Sequence, residues 1–297
     1  MRNAPAIITV DIEDWPQSTW DRALPITKRA EANTRRLMSL LESLDIRATL
    51  FVLGKFAEAY PDLIRELSAA GHEIASHGYG HVEVFEQTPD EFRDDVLCAK
   101  ALLEDISGTT VMGYRAPDFS ITAPSLWALP ILAEAGYVYD SSIFPIGGSR
   151  YGIPTWPRHP VEVDCKDGRH ITELPIATYS RFGRNWPIGG GGYHRLLPGR
   201  LVRHLTKRIL NEIPFVFYCH PYEFDPQEMS NLPFPVPLKV RLHQGIGRRS
   251  FEGRFRSFIG EFGGRRIADF LGDAQTMPRV VPSIFAAHRS PTAVSSD

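Results

Sequence analysis

The chain has little cysteine. Cys98, Cys165 and Cys219 are widely spaced, odd in number and form no Cys-x-x-Cys pair. That argues against a disulfide framework and a thiolate zinc site, and fits reduced thiols in a reducing compartment. Net charge is nearly absent too: 33 Lys and Arg against 35 Asp and Glu leave −2. A chain so balanced presents no global field to attract nucleic acid, and no nucleic-acid partner is expected. No run of about 18 apolar residues occurs, so no transmembrane helix is expected. The apolar run before Asp11 is too short for a signal-peptide core, and the expected location is the cytoplasm. There is no internal repeat, no Walker lysine and no dinucleotide-type glycine spacing.

What is present is ordinary globular composition, 43% hydrophobic and 23% charged over 297 residues, enough for one large domain or two modest ones. Residues 6–10 form a β-rich apolar run that ends in the acidic Asp11-Ile12-Glu13-Asp14. Residues 27–44 carry helical periodicity through Leu37, Leu40, Leu41 and Leu44. A strand is expected over 48–53, a helix over 57–70 stopped by Gly71, and a strand over 73–76. Thr88-Pro89-Asp90-Glu91 has the pattern of a capping box opening a helix to about residue 106. A strand over 111–114, a helix over 124–135 and a strand over 137–139 follow. This repeated strand–helix order predicts a parallel sheet with helices outside, barrel-like in form.

From residue 143 to 192 helices stop, with β-like pieces at 161–163 and 171–174. Gly189, Gly190, Gly191 and Gly192 then run together between Trp186 and Tyr193. The run can be read as a phosphate cradle, as a loop, or as a close backbone approach to substrate with the two aromatics stacking nearby; the last is preferred. A helix over 198–212 and a buried strand over 215–219 end the regular pattern. Residues 239–266 hold eight Lys and Arg against Glu252 and Glu261. There Phe251, Phe255, Phe258 and Phe262 mark an amphipathic helix, read as docked on the barrel rather than lying on a membrane. Residues 290–297 read as a frayed tail.

Chemistry-bearing residues all follow expected strands: Asp11, Glu13 and Asp14; His77 and His81; Arg115; Asp140; and His220. One carboxylate with two imidazoles makes a three-ligand metal site that leaves a place for water. A second carboxylate can take a proton, an arginine can hold that carboxylate charged, and a distant protonated histidine can serve a leaving group. Together they point to hydrolysis of an amide or ester. A lone His-x3-His would also suit an ordinary polar loop, and the acids a solvated one.

Four stretches carry a resemblance: Thr9-Val10-Asp11-Ile12-Glu13-Asp14, Ser76-His77-Gly78-Tyr79-Gly80-His81, Arg115-Ala116-Pro117-Asp118-Phe119 and Cys219-His220-Pro221. In this order they resemble the polysaccharide deacetylases, carbohydrate esterase family 4 or the NodB-homology group. The resemblance implies a distorted (β/α) barrel of about seven strands and a metal-dependent removal of acetyl groups from sugars. It implies Asp11 as general base, Arg115 as its tether, His220 as general acid and Asp140 as a supporting residue. It also implies His77 and His81 as metal ligands, with a backbone N–H near Asp118 for the oxyanion. Asp11 and Asp14 are not adjacent as the family's two aspartates are, so Asp14 is the preferred third ligand and Glu13 its rival. Asp118 also stands where an aromatic is common.

The expected metal is divalent, Zn2+ before Co2+, Ni2+ or Mn2+. Trp15, Phe119, Trp186, Tyr193 and Tyr222 are the expected sugar contacts. Residues 1–225 are expected to form the barrel, with 143–197 an irregular insertion near the site. Residues 226–297 are expected to pack on it. The tail, including Tyr222-Glu223-Phe224-Asp225-Pro226 and the basic phenylalanine helix, resembles a bacterial subgroup tied to exopolysaccharide biosynthesis. The basic C-terminal region makes a peripheral membrane contact conceivable, and oligomeric state is open. The rival functions are a deformylase or other amide hydrolase on the same scaffold, and a catalytically silent carbohydrate-binding protein.

Overall fold

Short apolar runs that alternate with amphipathic stretches bury both strand faces only when parallel strands lie under a cover of helices. The computed structural model has that architecture. It describes residues 4–282 apart from 149–150, 166–167, 231, 233 and 275–276, so the tail at 290–297 lies outside the described residues. The first half runs β1 (Ile7–Ile12), α1 (Lys28–Ser43), β2 (Thr49–Val52), α2 (Gly54–Ala59), α3 (Pro61–Ala69), β3 (Glu73–Ser76), α4 (Pro89–Ser107), β4 (Gly113–Tyr114), α5 (Ala128–Glu134) and β5 (Tyr139–Asp140). The second half runs β6 (Val161–Asp164), β7 (His170–Glu173), β8 (Thr178–Arg181), β9 (Arg184–Pro187), α6 (Gly191–Leu196), α7 (Gly199–Leu210), β10 (Val216–Cys219), α8 (Leu238–Gly245), α9 (Arg248–Phe262), α10 (Ile267–Asp273) and β11 (Arg279–Val280).

Local chemistry sets several boundaries. Thr27 caps α1 by accepting the Ala30 N–H. Thr88 and Glu91 form the capping box of α4, and Gly108 ends that helix in the left-handed conformation. The single helix expected over 57–70 is two, because Pro61 cannot donate a hydrogen bond within a helix and restarts the chain as α3. The β8–β9 hairpin and the short α6 had no clear periodicity in the sequence.

Seven strands are parallel in the order β10-β1-β2-β3-β4-β5-β7, and β6 and β11 continue the sheet beyond β7. Among the described residues no strand pairing joins the two edges of this sheet. Irregular backbone spans the gap: Ala177 N–H donates to Val216 O at 3.1 Å, and Tyr218 N–H to Gly189 O at 2.7 Å. A Cβ on Gly189 would stand 2.5 Å from Val216 O, and one on Gly190 2.7 Å from the Tyr218 ring. Gly189 and Gly190 therefore let the chain pass against its own sheet, which corrects the reading of these two glycines as a close approach to substrate.

The aromatic face of α9 docks as expected. Phe255 and Phe258 lie 5.8 and 5.5 Å from the Phe217 ring of β10, and Phe251 lies 4.7 Å from Phe224. All are buried, and each such ring contributes about 2 kcal/mol relative to exposure. At the head of α9, the buried Arg248 donates to Tyr222 O, tying this helix to the loop after β10.

Candidate active site

β1, β3, β4 and β10 end at the same side of the sheet, so their C-terminal loops converge there. A parallel sheet places its ligand-binding groups at that end. The cavity formed there, about 420 Å3, is lined by Asp11, Glu13, His77, His81, His220 and Tyr222 among others.

Two imidazoles and one carboxylate meet at its base. Glu13 Oε2 lies 2.9 Å from His81 Nε2 and 3.5 Å from His77 Nε2, and all three residues are buried. His77 Nδ1 lies 2.8 Å from Arg115 O. A carbonyl there accepts a hydrogen bond from Nδ1–H, which fixes the proton on Nδ1 and leaves the Nε2 lone pair free to ligate. The loop is pinned: Gly54 N–H donates to Gly78 O at 2.9 Å, and Gln17 Nε2 to Gly80 O at 3.2 Å. Gly78 has φ 74° and a Cβ there would stand 2.9 Å from Asp95 Oδ2, while His81 itself is held at φ 63°. A non-glycine residue in that region is strained, and the strain aims the ring.

Burial alone would raise the Glu13 carboxyl, but the His81 and His77 imidazoles close beside it outweigh burial and hold the group well below the usual carboxylate range. Glu13 Oε2 nonetheless has no partner in hydrogen-bonding geometry. A buried carboxylate oxygen with two imidazole nitrogens turned toward it fits a divalent cation better than it fits the protein alone.

Asp14, the preferred third ligand, lies elsewhere. Its Oδ2 accepts the Thr27 N–H at 2.7 Å, and burial, opposed by that bond, raises its carboxyl to about 6. Thr9 and Asp11 share one face of β1; just beyond the strand, Glu13 turns to the two imidazoles and Asp14 away to Thr27. The preference for Asp14 over Glu13 is corrected on this geometry.

Asp11 sits beside the trio. Arg115, fully buried, donates from Nη1 to Asp11 Oδ1 at 2.7 Å and to Thr9 Oγ1 at 2.8 Å. Its Nε and Nη2 donate to Ser141 O and Oγ, and Phe51 stacks 4.1 Å from the guanidinium. The charge is thus fully partnered, as a buried one must be. Asp140 stands behind this arginine, fully buried and outside the cavity. It accepts the Ser142 hydroxyl, and Ser142 in turn accepts the Ala116 N–H at 2.7 Å. Glu173, which the sequence did not single out, shares this pocket; burial and then the Asp140 charge push its carboxyl well up. Asp118 and Phe119 border the cavity, both at positive φ, 52° and 53°.

His220 faces the trio from the β10 side, 3.5 Å from Glu13 Oε1 and 3.8 Å from Asp11 Oδ2. Its Nδ1 lies 3.0 Å from Glu223 Oε1, and Arg195 Nε donates to the other oxygen of Glu223 at 2.7 Å. Burial disfavours charge on the imidazole, but the Glu223 hydrogen bond and the charges of Glu13, Glu223 and Asp11 outweigh it and raise its pKa to about 9. Burial likewise opposes ionisation of Glu223, yet the His220 bond and Arg195 hold it down to about 2. The sequence reading missed both partners. Glu223, three residues after His220, carried a local signal; Arg195 carried none.

The expected sugar contacts divide. Phe119, Tyr193 and Tyr222 line the cavity, and Tyr222 also donates to Glu13 Oε1 at 3.1 Å and stacks on His220 at 4.8 Å. Trp15 does not: it is fully buried against Tyr222 and Met229, which corrects its reading as a surface for sugar. Trp186 lies outside this cavity, in a neighbouring one.

Residues 7–139 match the family model described as "Polysaccharide deacetylase", and residues 141–271 match one described as "Domain of unknown function (DUF3473)". A stretch of 142 residues, 46% of the chain, is 28% identical to the peptidoglycan deacetylase of Helicobacter pylori and covers 47% of that protein. Another of 102 residues, 34% of the chain, is 36% identical to the chitooligosaccharide deacetylase of Bradyrhizobium and covers 44% of it. The chain thus spans under half the length of these relatives. A solved structure from Mycobacterium smegmatis, titled a putative polysaccharide deacetylase, shares the fold. It has a TM-score of 0.60 and 21% identity, and the match covers 100% of this chain and 95% of that one.

Proposed function

We propose, from the premise that residues 7–139 form a polysaccharide deacetylase domain, that the chain is a metal-dependent deacetylase of N-acetylated sugars. Its substrate is a polysaccharide or a precursor of one, as the resemblance to exopolysaccharide-biosynthesis proteins suggests. Residues 1–225 would serve as the barrel and 226–297 as its cover. The observation that carries the proposal is the convergence of buried Glu13, His77 and His81 between Asp11 on one side and His220 on the other.

Glu13, His77 and His81 would hold the metal, with Zn2+ the expected ion and Co2+, Ni2+ or Mn2+ alternatives. A divalent ion bound there lowers the pKa of a water and polarises an acyl oxygen. Asp11, kept anionic and oriented by Arg115, accepts the proton of the attacking water. His220, protonated through Glu223, gives a proton to the leaving sugar nitrogen. Arg115, Asp140 and Ser142 hold the base, while Arg195 and Glu223 hold the acid. Tyr222 orients Glu13, and Phe119 and Tyr193 wall the sugar.

Among the described residues no helix is long and apolar enough to cross a membrane. Exposed Leu238 and Leu242 on α8, beside Lys239, support peripheral contact with an anionic membrane. The three cysteines are unpaired, which supports a reducing, cytoplasmic setting.

The test is acetate release from acetylated chito-oligosaccharides before and after chelation. Activity should vanish with the metal and return when Zn2+ is restored. A metal-loaded protein that releases no acyl group from any sugar would favour a carbohydrate-binding protein instead.

A further inference from the structure

A second cavity, about 680 Å3, adjoins the active site. Its walls come from the irregular segment that follows β5 and from the β8–β9 hairpin. Tyr151 and Tyr193 border both cavities, so this pair forms the ridge between them. Beneath the ridge, Tyr151 stacks on Phe144 with rings 7° from parallel, and Phe144 packs on Phe119. The ridge therefore belongs to the rigid aromatic layer that also floors the active site.

The far wall is Trp186 on β9, 53% exposed. A tryptophan left in water within a concave surface forgoes burial worth a few kcal/mol, and such residues mark binding surfaces. The hairpin that carries it is held in place: Asn185 Nδ2 donates to Pro145 O at 2.8 Å, across the cavity floor. Arg184 stands beside Trp186, and among the described residues its guanidinium makes no ion pair or side-chain hydrogen bond. A flat aromatic wall, an aromatic ridge and a hydrogen-bond donor suit a pyranose ring, whose C–H face is apolar and whose edge is hydroxylated.

We infer that this cavity is a subsite for a neighbouring sugar of the glycan whose acetamido group lies at Glu13, His77 and His81. The inference rests on the proposed deacetylase reading and deepens it. The substrate is a linear oligo- or polysaccharide gripped across the Tyr151–Tyr193 ridge, not a free monosaccharide. It also gives the region of residues 141–271 a task, since every wall of the subsite belongs to it.

The test compares wild type with Trp186→Ala on N-acetylglucosamine and its β-1,4 oligomers from two to five units. In wild type kcat/KM should rise at least tenfold from dimer to tetramer, and in the variant that rise should collapse. Calorimetry on metal-loaded Asp11→Asn, with and without Trp186→Ala, reads binding apart from chemistry. Tetramer binding at least tenfold tighter than monomer binding, lost with Trp186, upholds the subsite even if no acetate is released. Acetate release with no length dependence, or with one that survives Trp186→Ala, overturns the subsite and leaves the deacetylase reading intact. If no oligomer binds more tightly than the monomer and none is hydrolysed, both fall.

Discussion

The two halves of the molecule build the site by different means. Before residue 140, each sheet strand leads into one or two helices before the next strand, and Asp11, Glu13, His77, His81 and Arg115 all sit at the C-terminal ends of buried strands or just beyond them. After it, regular alternation gives way to a hairpin, short helices and glycine backbone; His220 still follows a buried strand, β10, but Glu223, Arg195 and much of the cavity wall come from loops and short helices. In the proposed reading the first half holds the metal and the base on a rigid sheet. The second would bring the acid and the surfaces that meet substrate, and its positions depend on long-range ties such as Arg195 to Glu223 and Arg248 to Tyr222. Chemistry placed on strand ends tolerates different covers, and the cover is where specificity can vary.

That division can be broken by substitution. The largest effect belongs to the first half: His77→Ala should lose both bound metal, read by elemental analysis, and all activity. His220→Ala should keep one metal per chain and lower kcat by about 10²–10⁴-fold, the usual scale for a general acid. Asp11→Asn should behave alike, since it stands beside the trio without joining it. If His220→Ala also lost the metal, the halves would not be separable. A smaller loss, about tenfold to a hundredfold, is expected for Glu223→Gln, because the imidazole keeps a hydrogen-bond partner but not its charge. The loss should fall on kcat rather than KM, and Glu223→Asp should recover part of it.

Much of the first half was readable in the sequence because strand and helix periods there are clean and capping signals, such as Thr88 with Glu91, are local. The choice between Glu13 and Asp14 was not readable, since both lie beyond the end of β1 and the family's paired aspartates favoured Asp14. The second half was less legible for a physical reason. The glycine run answers to Val216 and Tyr218, residues distant in sequence, and Arg195 meets Glu223 only once α6 is folded against β10. Trp15 misled because an aromatic beside a catalytic loop can equally be core.

The smallest effect is on stability, and each half contributes one histidine. Burial, with the charges of Arg47 and Arg266, lowers His72 to about 4, and its Nδ1 accepts the Ala48 N–H at 3.2 Å. Burial lowers His194 to about 3. Each ring stays neutral in the fold while the unfolded chain takes up a proton below about pH 6.5. Their stabilising contribution is therefore full above that pH and is lost as pH falls toward the folded values, by about 2 kcal/mol per ring between pH 6.5 and 5. NMR should find both rings neutral at pH 5, and His72→Gln should reduce the slope of the urea midpoint with pH.

The most direct measurement is the metal content of Glu13→Gln and Asp14→Asn, each purified after Zn2+ loading. The Glu13–His77–His81 centre predicts that Glu13→Gln loses the ion and that Asp14→Asn keeps one per chain. Retention by Glu13→Gln with loss from Asp14→Asn would contradict it.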